Sequence, residues 1–204
     1  MTIYLNSYRP LVSTKTGRNV SHTYGILPFV DGSCRREPDF ESPYPSISAL
    51  CRGSKFAPKL CKGDIIVYIT VKRKYCGVSS KAHWRLVSIL KVIERFESHK
   101  DAANWYKSKK LKLPSNCIVK GNKPYPMYKT LGKHCSLKGW DGEYKKRANE
   151  NGDFLVCNSL YKELCNPPLI DEEKMNDIFG KIRNTQNPPK VSKEQFKRLK
   201  RILL

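Results

Sequence analysis

Ile65-Ile-Val-Tyr-Ile-Thr-Val71 is an unbroken run of mostly β-branched residues entered through the turn Lys62-Gly63-Asp64. Such a run predicts a strand buried on both faces. Trp84 to Phe96 alternates and is rich in Val, Ile and Leu, predicting a second long strand, with the basic, glycine-containing residues 72–82 as the connection between them. Shorter strands are expected at Thr2–Leu5 and Phe154–Cys157. The stretch after Leu5 reads as turn-rich. Tyr24 to Val30 is apolar and closes on the turn Asp31-Gly32, residues 33–46 carry Pro38, Pro43 and Pro45 and read as a loop, and the apolar pattern resumes at Ile47–Cys51.

Helical signals are fewer. Ser98 offers an N-cap with Asp101 three residues on, and the segment through Lys110 places Ala102, Trp105 and Tyr106 on one side. Asp171 to Gly180, after Pro167-Pro168, predicts another helix. Ser192 with Gln195 forms a capping box for a terminal helix whose Phe196, Leu199, Ile202 and Leu203 share a face. Residues 111–142 read as a long irregular basic loop. The expected organisation is a domain over 1–158 including that loop, and a helical C-terminal extension, 159–204, packed on it.

Charge changes this picture most. The chain of 204 residues carries 39 Lys+Arg against 18 Asp+Glu, a formal +21. Residues 1–51 are nearly balanced, but Arg52–Arg85 hold nine basic residues and one acid, and Lys107–Arg147 hold twelve and two. Segregation of that kind predicts a phosphate-binding face and an anionic polymer, DNA or RNA, as partner. No run of about 18 apolar residues is present and no apolar signal segment follows Met1, so an intracellular chain, cytoplasmic or nucleoid-associated, with no membrane partner is expected. The eight cysteines form no Cys-x-x-Cys pair, which points to reduced, mostly buried thiols, no metal and no cofactor. Nucleotide-binding glycine motifs, HExxH and GxSxG are all missing, and Asp64, Asp141, Glu143 and Asp153 are too scattered in sequence to declare a metal-dependent nuclease.

Tyr24-Gly-Ile-Leu-Pro-Phe-Val-Asp31, Ile47-Ser-Ala-Leu-Cys-Arg52 and Lys62-Gly-Asp-Ile-Ile-Val67, followed by Trp84-Arg-Leu-Val-Ser-Ile-Leu-Lys-Val92, together resemble the second of the nucleotide-modification-associated domain families, within the PUA-like group that includes EVE and ASCH domains. About half the chain carries the resemblance. It implies an α+β fold built on a small PUA-like β-barrel or strongly bent mixed sheet, with peripheral helices and a C-terminal helix. It also implies a protein that handles nucleic acid, with a modified or flipped base as candidate ligand, in a phage–host or base-modification context. The chain departs from the family in the longer loop at 33–46 and in Tyr68, where a small residue is usual.

The candidate phosphate contacts are Arg52, Lys55, Lys59 and Lys62 before the Gly-Asp turn, Lys72, Arg73 and Lys74 in the loop where Tyr75 offers a stacking ring, and Arg85. The candidate base pocket is Tyr24, Asp64, Tyr68 and Trp84, brought together where the Tyr24–Phe29 segment meets Ile65–Val71 and the start of the Trp84 strand. Asp64 has a competing role as a turn residue bonded to its own backbone. Three classes stay open: a binding module, favoured because no catalytic set converges; an enzyme on nucleic acid, such as a base-modifying enzyme, glycosylase or nuclease; and an RNA-binding protein.

Overall fold

The computed structural model describes residues 1–75, 81–130, 137–180 and 185–203. Five strands make one mixed sheet: β1 (Ile3–Tyr8), β2 (Ser46–Ser48), β3 (Ile65–Thr70), β4 (Trp84–Phe96) and β5 (Phe154–Lys162), in the spatial order β1-β3-β4-β5-β2. A two-residue strand, β6 (Leu169–Ile170), pairs with the start of β4. β1 runs parallel to β3 and the remaining neighbours are antiparallel. Register shifts at Tyr68/Ile69, Ile89/Leu90 and Val92/Glu94 break the ladders, and irregularities of that kind bend and twist a sheet. The fold is accordingly α+β, a strongly curled half-barrel with helices around it and a C-terminal helix. The curl does not close. β1 and β2 stand at opposite ends of the strand order, and segment 189–191 bonds to β1 only at Ile3–Leu5, so Asn6–Tyr8 lie at the seam.

Strand alternation sorts the side chains into two cores. Tyr8, Ile66, Tyr68, Val87, Leu90 and Val92 face one cluster, filled by Leu11, Phe29, Phe40, Ile47, Phe56 and Leu60. Ile3, Leu5, Ile65, Val67, Ile69, Trp84, Leu86 and Ile89 face the other, filled from the C-terminal segments by Ile170, Met175, Ile178, Phe179, Val191 and Leu199. The expected boundary at 158 falls inside β5, and the C-terminal helices supply one whole layer of the second core.

The helices are α1 (Lys15–Tyr24), α2 (His99–Ser108), α3 (Leu137–Glu150), α4 (Glu172–Phe179) and α5 (Lys193–Lys200). α2 starts where its cap predicts, with Ser98 Oγ accepting from Asp101 N. The capping box opens α5: Ser192 Oγ accepts from Gln195 N while Gln195 Oε1 accepts from Ser192 N. α1 corrects the turn-rich expectation. Gly17, Asn19, Ser21 and Thr23 are weak helix formers that hide its period, but Thr14 Oγ1 caps it from Gly17 N and Gly25, at φ +59°, ends it. α3 corrects the end of the loop expected at 111–142, because 137–142 are its first turns even with Gly139 and Gly142 inside; residues 131–136 lie outside the described residues.

A sharper departure is the loop at 33–46, which is threaded through the interior. Arg35, Arg36, Glu37 and Asp39 are all buried. Arg35 ion-pairs with Asp141 of α3, and Arg36 donates to the carbonyls of Asp31, Ser33 and Lys129. Buried charges survive only when paired and bonded in this way.

Where α3 turns into β5, a Cβ on Gly152 would sit 2.4 Å from the backbone oxygen of Glu97. Gly152→Ala is therefore expected to lower stability by about 1–3 kcal/mol through overpacking, read as a fall in urea midpoint. Among the described residues, no helix is long and apolar enough to cross a membrane.

Candidate functional site

The open seam between β1 and β2 is a cleft of about 470 Å³, within the ~300–1,000 Å³ of small-ligand sites and placed where barrel-like sheets hold them. β1 contributes Asn6, Ser7 and Tyr8, β2 contributes Ile47 and Ser48, and Tyr68 comes from β3. Asp31 and Glu37 enter from the buried loop, Cys51, Arg52 and Phe56 from the segment after β2, and Thr185 and Gln186 from near the C terminus. Asn6 and Tyr68 are register partners on parallel neighbours, so alternation sets both on the cleft face side by side.

One wall is aromatic. Tyr8 and Tyr68 pack edge-on against Phe40 at 5.2 Å each, and the Tyr8 hydroxyl donates to Phe29 O. The other wall is acidic and buried. Glu37 Oε1 accepts from Ser48 N at 2.9 Å, and Glu37 Oε2 meets Ser48 Oγ and accepts from Asn116 Nδ2 at 2.9 Å. Burial pushes the Glu37 carboxyl up to about 8 against the pull of these bonds, with the Asp31 charge adding to the rise. Burial also raises Asp31, opposed by hydrogen bonds from Ser33 and the Glu37 N–H and by the Arg36 charge. Asn6 is 4% exposed, and its Oδ1 has no hydrogen-bond partner.

Arg52 holds the rim. Its guanidinium donates to the carbonyls of Thr185, Gln186 and Ser7 at 2.6–2.8 Å, tying the β1 edge to segment 185–186. These partners are neutral and Arg52 is in none of the ion pairs among the described residues, so its positive charge is not cancelled by a carboxylate there. Arg9, exposed, lines the same cavity. An aromatic wall, a polar floor and a cationic rim suit a flat polar ring attached to an anion.

The structure divides the sequence-predicted residues. Tyr68 and Arg52 line the cleft; Lys55 and Lys59 are exposed on the two turns flanking its Phe56; Lys72, Arg73 and Lys74, also exposed, follow its Val71. Lys62 is exposed but pairs with Glu94 at 3.1 Å, and Lys72 pairs with Glu172 at 2.9 Å. The convergence of Tyr24, Asp64 and Trp84 with Tyr68 does not occur. Trp84 belongs to the opposite core, because β3 and β4 set Tyr68 and Trp84 on different faces of the sheet. Tyr24 ends α1 and meets Tyr128 at 5.1 Å. Asp64 is the turn residue: its carboxylate is buried and accepts from Thr2 N and Cys61 N.

Arg85 is likewise removed from the phosphate contacts, being 3% exposed and donating to His83 Nε2, Asn166 Oδ1 and Pro167 O. Tyr75 is buried, donates to Val71 O and does not line the cleft. The thiols correct an expectation too: Cys34, Cys117 and Cys157 are buried, but Cys51, Cys61 and Cys165 are exposed, and Cys76 and Cys135 lie outside the described residues.

Sequence reasoning missed Asn6, Asp31, Glu37 and Ser48. Their one available signal was the density of charge in Arg35-Arg36-Glu37-Pro38-Asp39, which reads as solvated until long-range partners such as Asn116 and Asp141 are in place. Comparison with protein-family models, with curated proteins and with solved structures found no match to this chain.

Proposed function

We propose that the protein binds nucleic acid, holding the phosphate backbone along the basic rim while one unstacked base enters the seam cleft. The observation that carries this reading is the combination in one cavity of aromatic Tyr8 and Tyr68, buried polar Asn6, Ser48 and Glu37, and the uncancelled Arg52 charge. The +21 net charge supports a polyanionic partner. Exposed Lys55, Lys59, Arg73 and Lys74 extend the track away from the cleft. An extruded base costs least when the strand is already single or the base is mismatched or modified, so those ligands are preferred over intact duplex. The earlier resemblance to PUA-like base-handling domains points the same way.

Affinity for a mixed-sequence oligonucleotide across a salt series tests the phosphate part. If ~6 phosphates on a duplex are neutralised, log affinity against log salt falls with a slope near −5. A slope near zero removes the reading.

The two buried carboxyls in the same cavity favour a second reading, an enzyme acting on the seated nucleotide, because raised carboxyls in a cleft are the usual furniture of proton transfer. Release of free base, or an abasic strand after incubation, would establish it over simple binding.

A further inference from the structure

We propose that the seam cleft selects bases carrying an exocyclic amine, adenine, cytosine or guanine over thymine or uracil, and that Asn6 is the residue that reads the amine. The inference rests on the base-seating reading above and specifies its ligand.

Asn6 Oδ1 is a carbonyl-type acceptor with no protein partner, in a side chain only 4% exposed. Leaving such an acceptor unsatisfied is costly, and buried acceptors nearly always have donors. The backbone places it there: Asn6 stands between Tyr4 and Tyr8 on the cleft face of β1, in register with Tyr68, whose hydroxyl its carboxamide hydrogen-bonds, leaving Oδ1 as the unpartnered end. A ligand N–H is the partner the site lacks.

The surroundings narrow which N–H. Asp31 and Glu37 line the same cavity, so their carboxyl oxygens share it with the Asn6 carboxamide. An exocyclic amine brings donors to that wall. Thymine and uracil have a single N–H, flanked on both sides by carbonyl oxygens, and those oxygens would face carboxyl oxygens. Specificity then comes from repulsion of the wrong edge as much as from attraction of the right one. A site built around a polar partner rejects an analogue lacking it far more strongly than an apolar pocket rejects a missing methyl.

The test uses the full chain and short strands of abasic sugar-phosphate units carrying one central base, read by fluorescence anisotropy. Adenine and cytosine strands are expected to bind about tenfold or more tightly than strands carrying thymine or unsubstituted purine, which keeps adenine's ring without its amine. Asn6→Leu is expected to abolish that difference. If adenine, purine and thymine strands bind alike but all tighter than the abasic strand, a base is seated and the amine inference is overturned. Should every one-base strand match the abasic strand, the base-seating reading itself falls. A preference that persists in a folded Asn6→Leu protein removes Asn6 from the role. Where that variant does not fold, the adenine–purine comparison on the unaltered protein decides the amine preference, and Asn6→Ser decides the role of the carboxamide.

Discussion

Arg35→Ala is expected to lower folding stability by about 3–5 kcal/mol, seen as a large drop in urea midpoint with little change in slope. Arg35 is 1% exposed and spends its whole guanidinium inside the protein. Nε and Nη2 both reach Asp141 Oδ1, at 2.7 and 2.6 Å, and Nη1 donates to the carbonyls of Ser115 and Asn122. One side chain thus joins the cleft-forming loop to α3 and to the 115–122 segment. Removing it strands a buried carboxylate together with one buried and one partly buried carbonyl, and the stranded charge is the larger cost. Among the described residues, the cation Asp141 would still pair with is the exposed Lys145, at 2.8 Å. Adding Asp141→Asn to Arg35→Ala should therefore recover part of the loss, as a double-mutant cycle would register. A drop under about 1 kcal/mol would mean the loop is held by its other bonds and that the ion pair is incidental.

This loop also marks where the sequence was legible and where it was not. β3, β4, α2, α4 and α5 were readable because each is specified locally: β-branched runs for the strands, and Ser98 or Ser192 caps for two of the helices. Alternation within β3 turns Tyr68 toward the first core, but the register shift at Tyr68/Ile69, which no local pattern announces, is what sends Trp84 to the opposite face. The base pocket drawn from sequence failed on that point. α1 was invisible because a residue string poor in helix formers is held by its caps and by the packing of Val20. The cleft itself is a property of closure. Asn6 and Ser48 are forty-two positions apart, on strands that do not pair with each other, and they share a cavity only because the intervening three strands curl. No local pattern encodes that meeting. Arg52, by contrast, was singled out for its charge and does line the cleft, yet its hydrogen bonds are structural, so its charge rather than its free donors is what a ligand would meet.

Raising the pH from about 5 to about 9 is expected to weaken the fold through Glu37, and Glu37→Gln should remove that dependence. The ordinary glutamate value is 4.5, and burial lifts the folded one to about 8, with Asp31 nearby adding to the rise. Across that window the folded protein keeps a proton that the unfolded chain has released, so unfolding releases a proton and stability falls as pH rises. The contribution is fully present below the unfolded value and is gone once the pH passes the folded one. At about 1.4 kcal/mol per pH unit, the loss is on the order of 4 kcal/mol. Asp31, also raised, acts in the same direction. His99 acts in the opposite one: burial, aided by the Arg35 charge, lowers it to about 4, so it removes stability as pH falls below its ordinary 6.5. Its Nδ1 accepts from Ile118 N, as a neutral ring can. Subtracting the Glu37→Gln profile from the parent's isolates Glu37 from both. The glutamine carries its own constant penalty, about 1–3 kcal/mol, because its amide must place its NH2 against either Ser48 N or Asn116 Nδ2, both of which currently donate to Glu37. That penalty shifts the whole curve without tilting it. The difference curve should therefore slope downward from about pH 5 and flatten near pH 8, whereas parallel profiles would show that Glu37 is already ionised in the folded protein and that the acid wall of the cleft is charged.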